Sequence, residues 1–277
     1  MEASNLTFTP LRISTLVTTG HLGTAINLKA LFEQLPKLLI PIGYPKEGIL
    51  KMEHRENALG FSYRDVLTKR RVSDKTFFNQ STLVIRKLRD DGPGFKEVNM
   101  KLFENGGFQM TGVTSEEFSH KVVEWLIEEL KALPNAISKE PLTIKKFAIQ
   151  LLNSDYKMNT MVKRDELHRL LTSTYRLFST LETTIYQGVN TKYYYNEEAP
   201  PAQLRGICNC PRPCTGQGDG KTIGNCKRVT ISVFQTGSVI ITGARNRAQL
   251  DEAYDYINMI LRRHASEVLK PLPTAEK

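Results

Sequence analysis

The clearest pattern along the chain is an alternation of apolar and polar residues that occurs twice. In residues 98–112 every second residue is aliphatic up to Phe103, a turn with glycine follows, and a second apolar segment ends in Thr-Gly. Residues 229–243 repeat this order, with Phe234 before the turn. A period of two predicts strands with one apolar and one polar side. Each copy therefore predicts a β-hairpin, and the recurrence predicts two related halves.

A helix is predicted directly after each hairpin. Thr114 and, three residues later, Glu117 fit a capping box, and apolar residues then recur at helical spacing up to Pro134. In the second copy Asn246 is the predicted N-cap of a helix that reaches Leu261. These two helices are the longest that the pattern predicts.

Shorter elements are predicted before each hairpin. Asn27 caps a short helix, and a second helix is expected to carry Leu167 through Phe178. A basic triplet at 69–71 is typical of a solvated turn, with a phosphate contact as the alternative. The predicted strands cover residues 11–19, 48–53, 81–86, 142–151, 183–189 and 192–195.

The order of elements predicts the domain organisation and the fold class. We predict a first repeat at residues 9–135, a second at 140–268 with a cysteine-rich insertion at 196–227, and a tail at 269–277. Each repeat runs strand, helix, strands, hairpin and long helix, which predicts an α+β fold. Helices on one side of an antiparallel sheet leave its other side free, and function is expected there.

Composition and charge narrow the class of partner. The formal net charge is +9 and the pI is about 9.3. Such an excess favours a polyanion, of which nucleic acid is the natural candidate, with solubility alone as the alternative. No segment approaches the roughly 18 consecutive apolar residues of a membrane span, and residues 1–6 lack the features of a secretory signal. We therefore expect an intracellular protein without a membrane partner.

The repeated pattern, Phe-x-x-Gly, an apolar strand, Thr-Gly and a capped helix, resembles the TATA-box-binding protein (TBP) family. The similarity extends to residues 16–19 and 22–23, and to Ile185-Tyr186-Gln187-Gly188 in the second half. The long insertions, the basic charge and the cysteine-rich loop resemble the divergent versions that large nucleocytoplasmic DNA viruses encode. The resemblance implies a saddle of two pseudo-symmetric repeats, with helices on the convex face of a curved antiparallel sheet. It also implies a concave face on the DNA minor groove, where aromatic wedges unstack base steps.

The resemblance assigns the wedges to particular positions. Phe103 and Phe234 match the wedge at the end of a hairpin strand, and Tyr186 matches the other wedge of the second half. In the first half the counterpart of Tyr186 falls near Gly48, so that this wedge is expected to be lost or shifted.

The same resemblance assigns the groove-reading residues. Thr111 and Thr242 match the family's threonines, whereas the family's two base-reading asparagines have no clear match. Thr15 falls at one of those positions, and Ile149, or Gln150 with a one-residue shift, falls at the other. These differences from the family pattern affect the expected TATA selectivity more than the expected DNA bending. The remaining candidates on the polar side of the hairpins are Asn99, Lys101, Gln109, Thr230, Ser232 and Ile240.

All four cysteines lie within one short window, at Cys208, Cys210, Cys214 and Cys226. Four thiolates can bind one structural zinc ion, although the spacing is not that of paired CxxC knuckles. Free thiols or labile disulfides are the alternatives.

The function that these patterns predict is a transcription initiation factor and not an enzyme. It is expected to bind and bend A·T-rich promoter DNA and to recruit a B-type initiation factor and RNA polymerase subunits, in the nucleus or in a viral factory. One rival is a protein-interaction scaffold that has lost DNA binding. The other is an enzyme that uses Lys221 in a loop resembling GxxxxGK[ST], although the first glycine of that motif is Thr215 here and no strand precedes it.

Overall fold

The structure, a computed structural model, describes residues 6–68, 79–133, 136, 141–198 and 205–270. The chain forms two compact units. We call Thr15–Gln150 the first half, and Leu151–Lys277 together with Met1–Ser14 the second half. The predicted α+β class is confirmed, since each half contains antiparallel strands and helices.

The elements are numbered in chain order. The strands are β1 (Arg12–His21), β2 (Gly48–His54), β3 (Asn57–Gly60), β4 (Gln80–Leu88), β5 (Phe95–Phe103), β6 (Gly107–Val113), β7 (Lys145–Lys157), β8 (Met161–Val162), β9 (Phe178–Glu182), β10 (Tyr186–Tyr195), β11 (Lys227–Phe234), β12 (Ser238–Ala244) and β13 (Leu269–Lys270). The helices are α1 (Leu28–Gln34), α2 (Tyr63–Thr68), α3 (Glu116–Lys131), α4 (Arg164–Ser173), α5 (Arg247–Arg263) and α6 (Ala265–Val268), and Leu35–Lys37 adds a 3-10 turn after α1.

The sheet of the first half has the strand order β3-β2-β4-β5-β6-β1, with every pairing antiparallel. The predicted alternation of β5 is confirmed, because Val98, Met100 and Leu102 are fully buried. The buried stripe of α3 includes Phe118 and Leu126. Apolar strand residues and the helix stripe thus form one core, and the polar side of the sheet faces away from α3.

The sheet of the second half has the order β7-β12-β11-β10-β9, again antiparallel throughout. Its core repeats that of the first half, since Val229, Ile231 and Val233 are buried and α5 packs against β10, β11 and β12. Strands β8 and β13 form a separate two-stranded pair in this half.

The two repeat hairpins turn in the same way. Gly106 donates its N–H to Phe103 O, and Gly237 donates to Phe234 O. Both glycines have positive φ, +87° and +82°, and a Cβ would lie 1.8 Å from Thr24 O at the first and 2.2 Å from Thr160 O at the second. Only glycine fits such a turn, which explains why it recurs in both copies.

Several predicted boundaries are wrong by a few residues. The side-chain N-cap of α3 is Ser115, which accepts from Phe118 N, and not Thr114. Helix α4 ends at Ser173, so Phe178 lies on β9, and the two segments predicted around residue 190 form the single strand β10. The predicted caps Asn27 and Asn246 are confirmed.

Two further expectations concern segments that adjoin residues outside the described ranges. Residues 54–92 contain β3 and the short helix α2 in addition to β4, whereas only the strand at 81–86 and a basic turn were predicted there, and the basic triplet at 69–71 lies outside the described residues. Leu269–Lys270 pairs with β8 and does not belong to a tail, and residues 271–277 lie outside the described range.

Candidate nucleic-acid interface

The polar side of the second half is built from side chains that face one another across four strands. Thr230 lies opposite Lys192 on one side and Thr242 on the other, and Thr242 lies opposite Asn153. Residues directly opposite in an antiparallel sheet point to the same side. Lys192, Thr230, Thr242 and Asn153 therefore form one transverse row, and Lys192 Nζ donates to Thr230 Oγ1 at 3.0 Å.

A second row of the same half lies two residues further along β11, on the same side of the sheet. It contains Asn190, Ser232, Ile240 and Asp155. Ser232 is buried within it, with only 4% exposure, whereas Ile240 is half-buried.

The first half repeats both rows at equivalent positions. Asn99 lies opposite Thr111 on β6 and Val84 on β4, which matches the row around Thr230. Lys101 lies opposite Gln109 and Thr82, which matches the row around Ser232. Lys101 and Thr111 are exposed, and Asn99 and Gln109 are half-buried. The sequence-predicted residues of each hairpin therefore come together on one side of their sheet.

Aromatic rings meet at one end of the second-half rows. Phe234 lies opposite Gly188, and its ring packs edge-to-face on Tyr186 with 5.5 Å between centroids and 63° between planes. A Cβ on Gly188 would lie 3.0 Å from Tyr186 Cε1 and 3.2 Å from Phe234 Cε1, so the absence of a side chain leaves room for both rings. Tyr186 remains 40% exposed. The two predicted wedge residues are thus one aromatic pair.

The strand register locates the equivalent place in the first half and corrects the alignment near Gly48. Gln80 lies opposite Phe103 just as Gly188 lies opposite Phe234, so β4 is the counterpart of β10. Gly48 instead lies on β2, opposite Arg86. Tyr186 precedes Gly188 by two residues, and the residue two before Gln80 is Phe78. The sequence therefore carries an aromatic residue at the position that the alignment left without one, although Phe78 lies outside the described residues.

Helix α2 lies over part of the polar side of the first half. Ser62 and Asp65 line a cavity of about 310 Å³ together with strand residues of both rows, among them Lys51 and Asn99. Lys51 lies opposite Val84, and its Nζ lies 2.8 Å from Asp65 Oδ1 and 2.7 Å from Glu53 Oε1. The expectation that the polar side of the sheet stays free of helices is therefore wrong at α2.

The charges of the two polar sides differ. Burial lowers the pKa of Lys51, but the hydrogen bonds from Asp65 and Glu53 outweigh it and the net pKa is raised. Burial, followed by the charge of Arg228, lowers the pKa of Lys192, which lies one step from Arg228 along the second-half face. Ion pairs neutralise Lys51, whereas Lys192 and Arg228 repel each other, so an anion would be favoured beside the second pair.

An acidic residue on the second-half face is neutralised within the same half. Arg12 Nη2 lies 2.7 Å from Asp155 Oδ2 and Arg12 Nε donates to Asp155 Oδ1 at 3.0 Å. This two-point pairing raises the pKa of Arg12, through the hydrogen bond first and the charge second. Asp155 therefore adds little repulsion towards a polyanion.

The residues assigned to the base-reading positions have different surroundings. Gln150 is exposed and its Nε2 donates to Thr19 Oγ1 at 2.8 Å, and Thr15 is half-buried in β1. Asn153, which sequence reasoning missed, lies opposite Thr242, and its Oδ1 is buried without a hydrogen-bond partner. The period-two alternation of β7 could have found Asn153, but the apolar run before it hid the register.

The four cysteines come together in the insertion after β10. All four thiols are free, and their Sγ atoms lie within 4.8 Å of one another. Burial raises the pKa of Cys208, but backbone donors from Cys214 and Cys210 outweigh it and lower it to about 7. None of the four cysteines belongs to the polar rows, and Cys226 is the residue directly before β11.

The loop that resembles GxxxxGK[ST] lacks the strand and the helix that a phosphate-binding loop requires on either side. Residues 216–222 follow no strand and precede no helix, and they lie between Cys214 and Cys226. Asp219 O instead accepts from Gln249 Nε2 of α5 at 2.8 Å, which ties the loop to the helix. A nucleotide-binding loop needs a strand before it and a helix N-terminus after it.

Within the described ranges, no helix has both the length and the apolar character to cross a membrane.

Comparisons with known proteins agree with the resemblance that the hairpins carry. A family model described as "Transcription factor TFIID (or TATA-binding protein, TBP)" matches residues 223–264, which contain β11, β12 and α5. A "TATA-box-binding protein-like" protein of Acanthamoeba polyphaga mimivirus is 31% identical over 222 residues, covering 74% of this chain and 53% of that protein. This chain thus spans about half the length of that curated relative.

Among solved structures, Methanococcus jannaschii TBP aligns with a TM-score of 0.49 and 15% sequence identity, over 92% of this chain and 99% of that chain. The sequence matches confirm the predicted resemblance to the TBP family and to a divergent version encoded by a large DNA virus.

Proposed function

We propose that this chain, a divergent TBP-like protein, binds double-stranded DNA in the minor groove through the polar side of its sheets. The observation that carries the proposal is the recurrence of one arrangement in both halves. Thr111 and Thr242 occupy equivalent places in the first row, and Phe103 and Phe234 occupy equivalent places at the strand ends. Two similar surfaces suit a duplex whose minor groove repeats the same acceptor pattern along its length.

The side chains of the rows suit the minor groove chemically. Threonine hydroxyls, Asn99 and Asn153 can donate hydrogen bonds to base edges or accept them, while Ile240 would make apolar contacts with the base edges. Lys192 stands at one end of its row and Arg228 lies one step beyond it, and we propose that these two flanking cations contact phosphates, which supply affinity without sequence information. The proposal therefore assigns reading to the other residues of the rows and affinity to the flanking cations.

Aromatic residues are proposed as the wedges that unstack base steps. The Tyr186–Phe234 pair is the proposed wedge of the second half, and Phe103 is that of the first, where the sequence spacing alone adds Phe78 as a candidate. Insertion of such side chains bends a duplex, at a cost of a few kcal/mol per step that the added contacts offset. Bending in turn would present the DNA to a B-type initiation factor and RNA polymerase subunits, which we propose to be recruited by the helical side, in the nucleus or in a viral factory.

The test measures DNA affinity, DNA bending and which groove the protein contacts, all with one set of duplexes. Labelled A·T-rich DNA is titrated with the full chain by fluorescence anisotropy, and end-to-end energy transfer reports bending. Replacing A·T by inosine·cytosine pairs keeps the minor-groove pattern and changes the major groove, so binding is expected to survive. Replacing them by G·C pairs adds a minor-groove donor and is expected to weaken binding. Loss on inosine substitution would contradict minor-groove reading.

A matched pair of variants tests the wedge. Phe234→Ala is expected to reduce bending and to lower affinity by about tenfold or more, because the ring supplies stacking that alanine cannot. Ile223→Ala is the control, since Ile223 is an exposed apolar residue in the insertion and belongs to neither row. Equal effects of the two substitutions would exclude a wedge at Phe234.

The second candidate function is an interaction scaffold without DNA binding, and the observation that favours it is the position of α2 over the first-half rows. A salt-independent or undetectable DNA affinity of the wild-type chain would support it, because phosphate contacts make binding fall steeply with salt. A catalytic role is not part of the proposal.

A further inference from the structure

We infer that Cys208, Cys210, Cys214 and Cys226 bind one zinc ion, which fixes the insertion to the ends of β10 and β11. None of the four ligands is a member of the proposed DNA-binding rows, so the inference does not rest on the proposed function. The inference starts from the sulfur positions. Cys208 Sγ lies 3.3 Å from Cys214 Sγ and 4.0 Å from Cys226 Sγ, and Cys210 Sγ lies 3.5 Å from Cys226 Sγ.

These separations fit a single tetrahedral ion. A Zn–S bond of about 2.3 Å places the four sulfurs of a regular tetrahedron about 3.8 Å apart. The observed contacts scatter around this value, and all ligand atoms lie within 4.8 Å of one another. One ion therefore reaches all four sulfurs without a large rearrangement of the chain.

The ligands come from three segments that the backbone holds in place without any help from sulfur. Tyr194 N donates to Gly206 O at 2.9 Å just before the first two cysteines, and Arg228 N donates to Gly216 O at 2.8 Å just after the third. Gly218 N donates to Cys226 O at 3.1 Å, which sets the fourth ligand beside the others. A site whose ligands are already converged loses little conformational entropy on binding the ion.

Glycine is required where this backbone turns. Gly216 has φ +74°, and a Cβ there would lie 2.4 Å from Arg228 Cβ. Gly206 has φ +83°, and a Cβ there would lie 2.8 Å from the Tyr193 ring. These glycines bring the cysteine segments close to β10 and β11, so the approach is a property of the local sequence.

Two N–H groups point at the sulfurs from outside the cluster. Gly224 N donates to Cys210 Sγ at 3.0 Å, and Asn196 Nδ2 donates to Cys226 Sγ at 3.4 Å while also donating to Thr222 O. Such donors stabilise bound thiolates and orient them towards a metal ion. They are the partners expected around a thiolate site, and they add to the evidence of the distances.

Zinc is the ion that this donor set selects. Four sulfur ligands in a tetrahedron favour zinc or iron over magnesium, calcium or manganese, which prefer oxygen. The ion would hold the insertion against α5 as well, since Asp219 O already accepts from Gln249. Its role is structural, because all four positions around the ion are filled by protein ligands and none is left for a substrate.

The test counts metal and thiols on the full chain purified under reducing conditions. Mass spectrometry of the metal content is expected to give one zinc per chain, with the four thiols protected from a thiol reagent until a chelator is added. Cys208→Ser and Cys226→Ser are each expected to lower the zinc content at least tenfold. Arg212→Ser, an exposed residue between the second and third ligands, is the control and is expected to keep the metal.

A visible spectrum after exchange with cobalt provides a readout that does not depend on folding of a variant, because a tetrahedral tetrathiolate site gives strong absorption. Four freely reactive thiols without metal would overturn the inference. Two disulfides without metal, or one iron in place of zinc, would also overturn it. DNA affinity is measured on the same samples, and a chain that binds zinc but no DNA refutes only the proposed function.

Discussion

Tyr186 and Phe234 form an edge-to-face pair over Gly188, with 5.5 Å between ring centroids. The pair links β10 to the end of β11, and Tyr186 is still 40% exposed. The Tyr186 ring is thus held in place in the free protein and is accessible to a ligand. A side chain that is ordered before binding loses less entropy when it inserts into DNA.

The pair predicts an energetic coupling that denaturation can measure. In a double-mutant cycle of Tyr186→Ala and Phe234→Ala, the coupling free energy of unfolding is expected to be about 0.5–1.5 kcal/mol, the range for aromatic pairs. The control cycle combines Phe234→Ala with Phe178→Ala, an exposed aromatic residue on β9, and is expected to be additive. Additivity in both cycles would show that the contact between the two rings contributes nothing to the free energy of unfolding.

The register of β4 predicts which first-half phenylalanine acts as a wedge. Phe78 is two residues before Gln80, and Phe77 is three residues before it. Phe78→Ala is therefore expected to reduce DNA bending, with a fall in affinity of about tenfold, whereas Phe77→Ala is expected to change bending little. Energy transfer across a labelled duplex is the measurement. If Phe77→Ala has the larger effect on bending, the equivalence of β4 and β10 does not extend beyond Gln80.

The ion pair under α2 predicts a stability difference with a defined pH window. Asp65→Asn is expected to lower the free energy of unfolding by about 1–3 kcal/mol, because Lys51 loses its hydrogen bond to a charged acceptor. Burial raises the pKa of Asp65, but hydrogen bonds from Lys51 and Ser62 outweigh it and hold the pKa below the usual 3.8. The contribution is therefore present above pH 3.8 and is lost as the pH falls through the folded-state value.

The same pair sets the alkaline limit of the window. The net pKa of Lys51 is raised above the usual 10.5, so its contribution is complete below pH 10.5 and is lost as the pH rises through the folded-state value. Urea titrations of wild type and Asp65→Asn between these limits are expected to differ by a constant amount. Asp91→Asn is the control, since its pair with Arg89 is exposed and screened by solvent, so its loss is expected to change stability little. A difference that persists in strong acid would rule out this ion pair as its source.

The flanking cations predict the salt dependence of DNA binding. Lys192→Gln and Arg228→Gln are each expected to lower the affinity on every sequence and to reduce the slope of log K against log salt by about 1. The matched control is Lys221→Gln, which removes an exposed lysine of the insertion. Anisotropy titrations at several salt concentrations give the slopes. A slope that falls equally in Lys221→Gln would mean that the insertion, and not the sheet, carries the phosphate contacts.

The sequence alone was sufficient for the parts of the fold that depend on local periodicity. Alternation in β5 and β11 assigns the buried set Val98, Met100 and Leu102 and its second-half counterpart because one side of each strand is apolar. Helices α3 and α5 follow for a similar reason, with a cap before a continuous stripe. The four cysteines were also predictable as a cluster, since they are close in sequence.

Features that depend on long-range pairing could not be predicted in this way. The alignment near Gly48 failed because β2, β3 and α2 precede β4, and only the pairing of Gln80 with Phe103 shows which strand corresponds to β10. Helix α2 lies over the polar rows through the contacts of Asp65 with Lys51, 14 residues away in sequence. Asn153 was missed because apolar residues precede it in β7, and the sheet register alone places it opposite Thr242.

Val84 and Lys192 occupy equivalent places in the two halves, yet one is aliphatic and the other is a cation. Beside Val84, the neighbouring cation Lys51 is already neutralised by Asp65 and Glu53, whereas Lys192 has the like charge of Arg228 beside it. Equivalent places in the two repeats therefore differ in the charge that they offer to a ligand, although the strand order that builds them is the same.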